Sequence, residues 1–168
     1  MKTFLRALGL VAALGTLTAL PVAAQTISLA GESGTAAKRQ HVLLLSDALE
    51  AKAGSVQTVE MRFRVDAGFH INSHKPKDEL LIPTVLTLDA PTGVRVIGTE
   101  YPAGQPFKLP SSNDPLDVYQ NEFRVMVRVE VKSPGATPLT GSLHYQACDN
   151  AACFPPRSLP VKALLTAK

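Results

Sequence analysis

Residues 122–132 alternate more strictly than any other stretch of the chain. Phe123, Val125, Val127, Val129 and Val131 are apolar; Glu122, Arg124, Arg128, Glu130 and Lys132 separate them, and Met126 is the one break in the polar face. A helix would scatter these side chains around its axis, whereas an extended chain sends them to opposite faces. The segment is therefore a strand with one dry and one wet face. Val59, Met61, Phe63 and Val65 repeat the pattern against Glu60, Arg62 and Arg64. Shorter apolar runs at 41–45, 94–97, 138–147 and 159–165 read as further strands, and 80–88 reads as an edge or a strand beginning because Pro83 lies near its start. Residues 47–54 contain Ala-Leu-Glu-Ala-Lys-Ala, which suggests a helical turn too short to stand by itself. Between Pro102 and Tyr119 the pattern lapses into loop chemistry. Short strands, proline-rich turns and no long helical period indicate an all-β fold, with two packed antiparallel sheets as the natural solution.

The start of the chain sets the compartment. Lys2 and Arg6 precede a small and apolar run to Leu20, and Val22-Ala23-Ala24 places small residues before Gln25. This predicts a secretory signal over residues 1–24, cleaved after Ala24, and a periplasmic or secreted protein without stable membrane insertion after cleavage. Residues 25–37 are polar and contain glycine, so a flexible lead-in is expected before a domain at 38–168. The chain has 17 Lys plus Arg against 14 Asp plus Glu. Lys2 and Arg6 leave with the signal, so the mature excess falls to one positive charge. With no basic stripe interleaved with aromatics, nucleic acid is not an expected partner.

Both cysteines lie in Tyr145-Gln146-Ala147-Cys148-Asp149-Asn150-Ala151-Ala152-Cys153-Phe154-Pro155-Pro156. In an oxidising compartment Cys148 and Cys153 can join. The ring would span six residues and stabilise by about 2 kcal/mol, against nearly 5 for a loop of 100. It is a weak staple, and exposed short-loop disulfides are the exchange-competent ones. Spacing alone leaves a structural bridge and a redox bridge both open. Asp149 disfavours a thiolate on its neighbour, and no Lys or Arg inside the loop favours one. A metal site is not expected: His144 and Cys148 lie roughly 13 Å apart on an extended strand, too far for two ligands of one ion. No cofactor is implied. Tyr119 and Tyr145 read as packing residues.

The cysteine segment resembles the amino-terminal periplasmic domain family of the thiol:disulfide interchange protein DsbD. The similarity extends to Gly68-Phe69-His70-Ile71-Asn72-Ser73-His74-Lys75-Pro76, to Leu81-Ile82-Pro83-Thr84, and to Tyr101-Pro102-Ala103-Gly104 through Val118-Tyr119. The resemblance implies an immunoglobulin-like β-sandwich whose disulfide passes reducing equivalents to exported thioredoxin-like oxidoreductases, including those serving cytochrome c maturation. It makes Cys148 and Cys153 the exchanging pair, with Cys153 forming the mixed disulfide and Cys148 resolving it. It places a cap loop at about Asp117-Val118-Tyr119-Gln120, with Val118 where a large aromatic usually stands, and puts His70 and Asn72 close to the active site. In that family the domain is normally fused to a membrane electron carrier and a thioredoxin-like domain. Neither is found in this sequence, so a separate electron-donor protein is expected. The competing expectation is a non-catalytic secreted binding module with an inert bridge.

Overall fold

The computed structural model describes residues 39–109 and 114–168. The expected signal and lead-in lie outside them. Twelve strands follow in order: β1 Val42–Leu44, β2 Ala48–Ala51, β3 Val56–Val65, β4 His70–Asn72, β5 Val85–Asp89, β6 Val94–Glu100, β7 Gln105–Phe107, β8 Leu116–Tyr119, β9 Glu122–Val131, β10 Gly135–Tyr145, β11 Ala147–Cys148 and β12 Arg157–Ala167. No helix occurs among the described residues. They form an immunoglobulin-like antiparallel β-sandwich.

One sheet has the order β1-β3-β9-β6 and the other β2-β12-β10-β5. The alternation read from β3 and β9 is realised literally: Met61, Phe63, Val125, Val127 and Val129 are wholly buried, while Arg62, Arg64, Arg124 and Arg128 are exposed. The opposing sheet contributes Leu139, Leu143 and Tyr145 from β10 and Val161, Ala163, Leu165 and Ala167 from β12, and all belong to one apolar cluster with the first sheet. Burying each large side chain of this kind contributes roughly 1.5–3 kcal/mol, so the two alternating faces account for the sandwich.

The expected helical turn at 47–54 is instead an extended crossing from one sheet to the other. β1 pairs with β3, then the chain leaves that sheet, and β2 pairs in parallel with β12. Ser46 sits at the departure. Its hydroxyl donates to Glu60 O (3.3 Å) and accepts from Arg62 N (2.9 Å), which serves the β3 backbone where β1 no longer can. Leu49 then enters the core from β2 with exposed neighbours on either side. A segment this short makes few internal helical bonds, and the free edge of β12 offers a full ladder. The expected edge position of the 80–88 run is found in β5, which borders β10 and closes its sheet.

The stretch from Pro102 to Tyr119 is not all loop. It contributes β7 and β8, which join β4 and β11 in a third sheet of order β11-β4-β8-β7. Asn121, at φ 54°, makes the sharp corner from this sheet into β9, in a conformation that asparagine tolerates better than most residues. Its carbonyl accepts from Val65 N at 2.7 Å.

Gly141 on β10 is a close-approach position. A Cβ there would collide with Thr87 O and come within 2.9 Å of Leu88 Cα, both backbone atoms of the neighbouring β5. Gly141→Ala is expected to destabilise the fold by about 1–3 kcal/mol, as a fall in the urea midpoint at unchanged slope. An unchanged midpoint would mean that β5 yields freely.

Candidate functional site

The cysteine segment is the connection between β10 and β12. Their ladder runs to the pair Tyr145↔Arg157 and stops. Pro155 and Pro156 lie just beyond and have no N–H to donate, so the ladder cannot continue through them. The facing chain is released from β12 and pairs elsewhere: β11 lies antiparallel to β4, with Ala147↔Ile71 and Cys148↔His70. Gln146 holds the branch point. Its amide donates to Phe154 O (3.1 Å), and its carbonyl accepts from Asn72 Nδ2 (3.4 Å).

Register sorts the third sheet into two faces. Ile71↔Tyr119 and Asn72↔Val118 link β4 to β8, and Gln105↔Val118 and Phe107↔Leu116 link β8 to β7. Side chains directly opposite share a face, and successive residues alternate. Ala147, Ile71 and Tyr119 therefore share the inner face, and all three belong to the apolar core. Cys148, His70, Asn72, Val118 and Phe107 share the outer face. That face is nonetheless covered: Cys148 and His70 are each 1% exposed, and Asn72 and Val118 are fully buried.

Cys148 and Cys153 are joined in a disulfide, with their Cα atoms 3.9 Å apart. They also form an isolated antiparallel bridge across a tight turn. Asp149 N donates to Ala152 O (3.0 Å) and Phe154 N to Ala147 O (2.8 Å). The Asp149 carboxylate accepts from Ala151 N (2.7 Å) and Ala152 N (2.8 Å). The two cysteines differ sharply in environment: Cys148 is buried in the third sheet, and Cys153 is exposed on the turn.

Aromatic groups flank the pair on two sides. Phe107 packs on His70, ring centroids 4.2 Å apart, beside the strand that carries Cys148. On the other side His41 stacks on Phe69 at 3.8 Å and tilts towards Phe154, the residue after Cys153, at 5.5 Å. Among the described residues three buried side-chain atoms have no hydrogen-bond partner: His41 Nδ1, His70 Nε2 and Asn72 Oδ1. His41 Nδ1 lies 3.4 Å from Asp66 Oδ2, near enough for attraction but without hydrogen-bond alignment. Orphaned polar atoms are costly and few in folded proteins, and these lie on elements flanking the disulfide.

Burial pushes the His70 imidazole below its ordinary pKa, partly opposed by the charge of Asp149, so the ring is neutral at neutral pH. Hydrogen bonds from the Ala152 and Ala151 backbone, more than the nearby His70, hold the Asp149 carboxyl below the usual carboxylate value. The carboxylate that the sequence placed against a Cys148 thiolate is thus also the clasp of the turn.

The segment expected to be a cap loop, Asp117-Val118-Tyr119-Gln120, is for the most part strand β8. Val118 lies between Asn72 and Gln105 in the ladder and is wholly buried, so it is not a loop tip over the disulfide. Asp117 takes the alternate register, and its carboxylate pairs with Lys77 at 3.6 Å. Tyr119 donates to Pro102 O (2.9 Å), accepts from His74 N (3.1 Å) and stacks on Phe123, a packing role. Burial raises the pKa of Tyr119 and of Tyr145. Tyr145 donates to Gln40 Oε1 (2.6 Å) and accepts from His41 N (3.1 Å) inside the core. Phe107 was missed because Gln105-Pro106-Phe107 lies in unpatterned sequence. The one available signal was that Phe107 is the only aromatic residue between Tyr101 and Tyr119. His144 is exposed and bonds Ser158 Oγ at 3.3 Å, as a sheet-surface histidine would.

The family model described as "Thiol:disulfide interchange protein DsbD, N-terminal" matches residues 39–164. Two solved structures are similar. The DsbD N-terminal domain of Neisseria meningitidis in its reduced form is 20% identical with a TM-score of 0.43, over 72% of this chain and 80% of that one. The N-terminal periplasmic domain of ScsB from Proteus mirabilis is 15% identical with a TM-score of 0.46, over 67% of this chain and 43% of that one. No curated protein matches.

The Asp149 clasp has a pH signature. Its folded pKa is depressed, so its charge stabilises the turn fully above the ordinary carboxylate pKa, and that contribution fades as pH falls through the lower folded value. Wild type is therefore expected to exceed Asp149→Asn in stability at neutral pH, and the gap should close in strong acid. Chemical denaturation at both pH values checks this; a gap that persists in acid would remove the charge from the explanation.

Proposed function

Because the chain belongs to the family of the N-terminal domain of thiol:disulfide interchange protein DsbD, we propose that it is an exported thiol–disulfide interchange module. Its partners are thioredoxin-like oxidoreductases and a thiol protein that donates electrons, and its compartment is the periplasm. The observation that carries the reading is the unequal burial of one disulfide: Cys148 at 1% exposure, Cys153 exposed on a turn. A thiol–disulfide exchange begins with a thiolate approaching one sulfur in line with the bond it breaks, so the accessible cysteine is the one attacked.

In the reductive direction a donor thiolate attacks Cys153 Sγ. A new bond forms between the donor sulfur and Cys153, the Cys148–Cys153 bond breaks, and the electron pair leaves on Cys148 Sγ. A second donor thiol then displaces Cys153, leaving the module as a dithiol and the donor as a disulfide. Towards an acceptor the steps reverse: Cys153 attacks the acceptor disulfide, and Cys148 resolves the mixed disulfide. The family's cytochrome c and isomerase pathways are destinations compatible with this chemistry. The turn itself does not favour a free attacking thiolate, since Asp149 adjoins Cys148 and no cation lies between the cysteines. A relay that reacts inside a docked complex fits these groups better than a general reductant does.

The shielding role assigned by resemblance to the 117–120 segment falls on Phe107 instead. Its ring covers His70, the cross-strand partner of Cys148. Phe107→Ala is expected to speed reduction of the disulfide by a small thiol several-fold with little change in fold; an unchanged rate would end the shielding assignment.

Cys148→Ser is expected to accumulate a mixed disulfide through Cys153 with an exported thioredoxin-like protein, seen as a thiol-sensitive adduct by mass spectrometry. Cys153→Ser, whose remaining cysteine is buried, should trap far less. Equal failure of both variants, with a bridge that resists moderate thiol reagents while the protein is folded, would favour a structural bridge on a binding module.

A further inference from the structure

Opening the disulfide at Cys153 leaves a negative charge on a buried sulfur. A buried anion is costly unless it receives a hydrogen bond or a counter-charge. The turn contains no Lys or Arg, and Asp149 at its start carries the wrong sign. The Asp149 carboxylate is moreover an acceptor already occupied by Ala151 N and Ala152 N.

His70 stands in the position to help. It is the residue directly opposite Cys148 on the β4–β11 ladder. Directly opposed side chains in an antiparallel pair share a face, with Cβ atoms about 4.5–5.5 Å apart. Its ring is 1% exposed, and its Nε2 has no hydrogen-bond partner among the described residues. Phe107 packs against the ring from β7, and Val118 lies diagonal to it on β8, so neither neighbour supplies a polar contact. Asp149 is the charged group that acts on it. A buried imidazole nitrogen without a partner stays unsatisfied while Cys148 is in the disulfide, because a disulfide sulfur is a poor acceptor. A thiolate is a strong one.

We propose that His70 is the hydrogen-bond donor that receives the Cys148 sulfur when the disulfide opens, making Cys148 the better leaving group and holding it ionised for the return step. The proposal rests on the exchange reading above and assigns the proton of the neutral ring to Nε2 in the reduced state. Breaking the bond frees Cys148 Sγ to turn about its Cα–Cβ bond between staggered positions. The ring N–H is shared with the sulfur and not transferred. The electron pair of the broken bond stays on sulfur until water supplies a proton; when the Cys148 thiolate attacks Cys153 in the mixed disulfide, that pair forms the new S–S bond, the Cys153–partner bond breaks, and its electron pair leaves on the partner's sulfur. A leaving thiol of lower pKa departs faster, so one contact serves both directions. It also offsets the unfavourable charge of Asp149.

The test uses the whole exported protein. In a Cys153→Ser background, the carbon chemical shift of Cys148 Cβ followed by NMR gives the pKa of that thiol. His70→Phe, which keeps a ring to pack on Phe107, is expected to raise it by about one unit, a roughly tenfold loss of thiolate at fixed pH. In the cysteine-intact protein the same substitution should slow reduction by dithiothreitol about threefold or more. His70→Gln retains an N–H donor and should recover most of both effects, a rescue that simple loss of packing would not produce. A folded His70→Phe protein with wild-type Cys148 pKa and reduction rate would overturn the proposal. If that variant does not fold, the nitrogen shift of His70 Nε2 in the wild type decides: it must move when the disulfide is reduced, and a stationary signal overturns the proposal. A wild-type disulfide that resists reduction while folded would instead defeat the exchange reading, which is a different result.

Discussion

The pairing of β11 with β4 is the contact on which the site depends. It is only two residues long, Ala147↔Ile71 and Cys148↔His70. Without it the segment between β10 and β12 would be an ordinary hairpin loop over the end of the sandwich. With it, one residue of the loop is locked into a sheet whose inner face is part of the core, and the next is locked onto the outer face. A period of two does the rest. Ala147 goes inwards, Cys148 outwards, and the chain turns back through Asp149 to present Cys153 to solvent.

This explains how a bond between residues five apart can have two unlike ends. In a free loop both cysteines would move together and expose themselves alike. Here one belongs to the scaffold and the other to the turn. The proline pair contributes by denying further ladder bonds to the chain that leaves β10, which frees Ala147 and Cys148 to pair with β4. The Asp149 carboxylate closes the turn by accepting two backbone donors, so the turn keeps its shape from local hydrogen bonds as well as from the covalent bridge.

The elements flanking the disulfide carry unpaired buried side-chain atoms that the other described elements lack. Among the described residues the buried side-chain polar atoms without partners are on His41, His70 and Asn72, while the buried side chains of the β3–β9 face are apolar. Departures from full hydrogen bonding concentrate where a protein must accommodate a change of state. The exchange proposed for Cys148 and Cys153 imposes such a change on this end of the sandwich. Phe107 packs on His70, and Phe69 lies against Phe154, so aromatic rings neighbour the residue opposite Cys148 and the residue after Cys153.

Much of the sandwich was legible because alternation is a local property. Val125 and Arg124 point to opposite faces whatever the rest of the chain does, since successive side chains on a strand alternate. The cysteine pair and its double-proline exit were equally plain. What sequence could not decide was pairing at a distance. The Ala-Leu-Glu-Ala stretch became a strand because the edge of β12 was vacant beside it. The unpatterned stretch after Pro102 gained strands because β4 and β8 offered it an edge. Phe107 rather than Val118 came to lie over the cross-strand partner of Cys148 because register across four strands, not distance from Tyr119 along the chain, sets which side chains share a face. Local chemistry named the two sulfurs; only the tertiary ladder made one of them part of the scaffold and left the other in water, since burial depends on neighbours that the chain meets at long range.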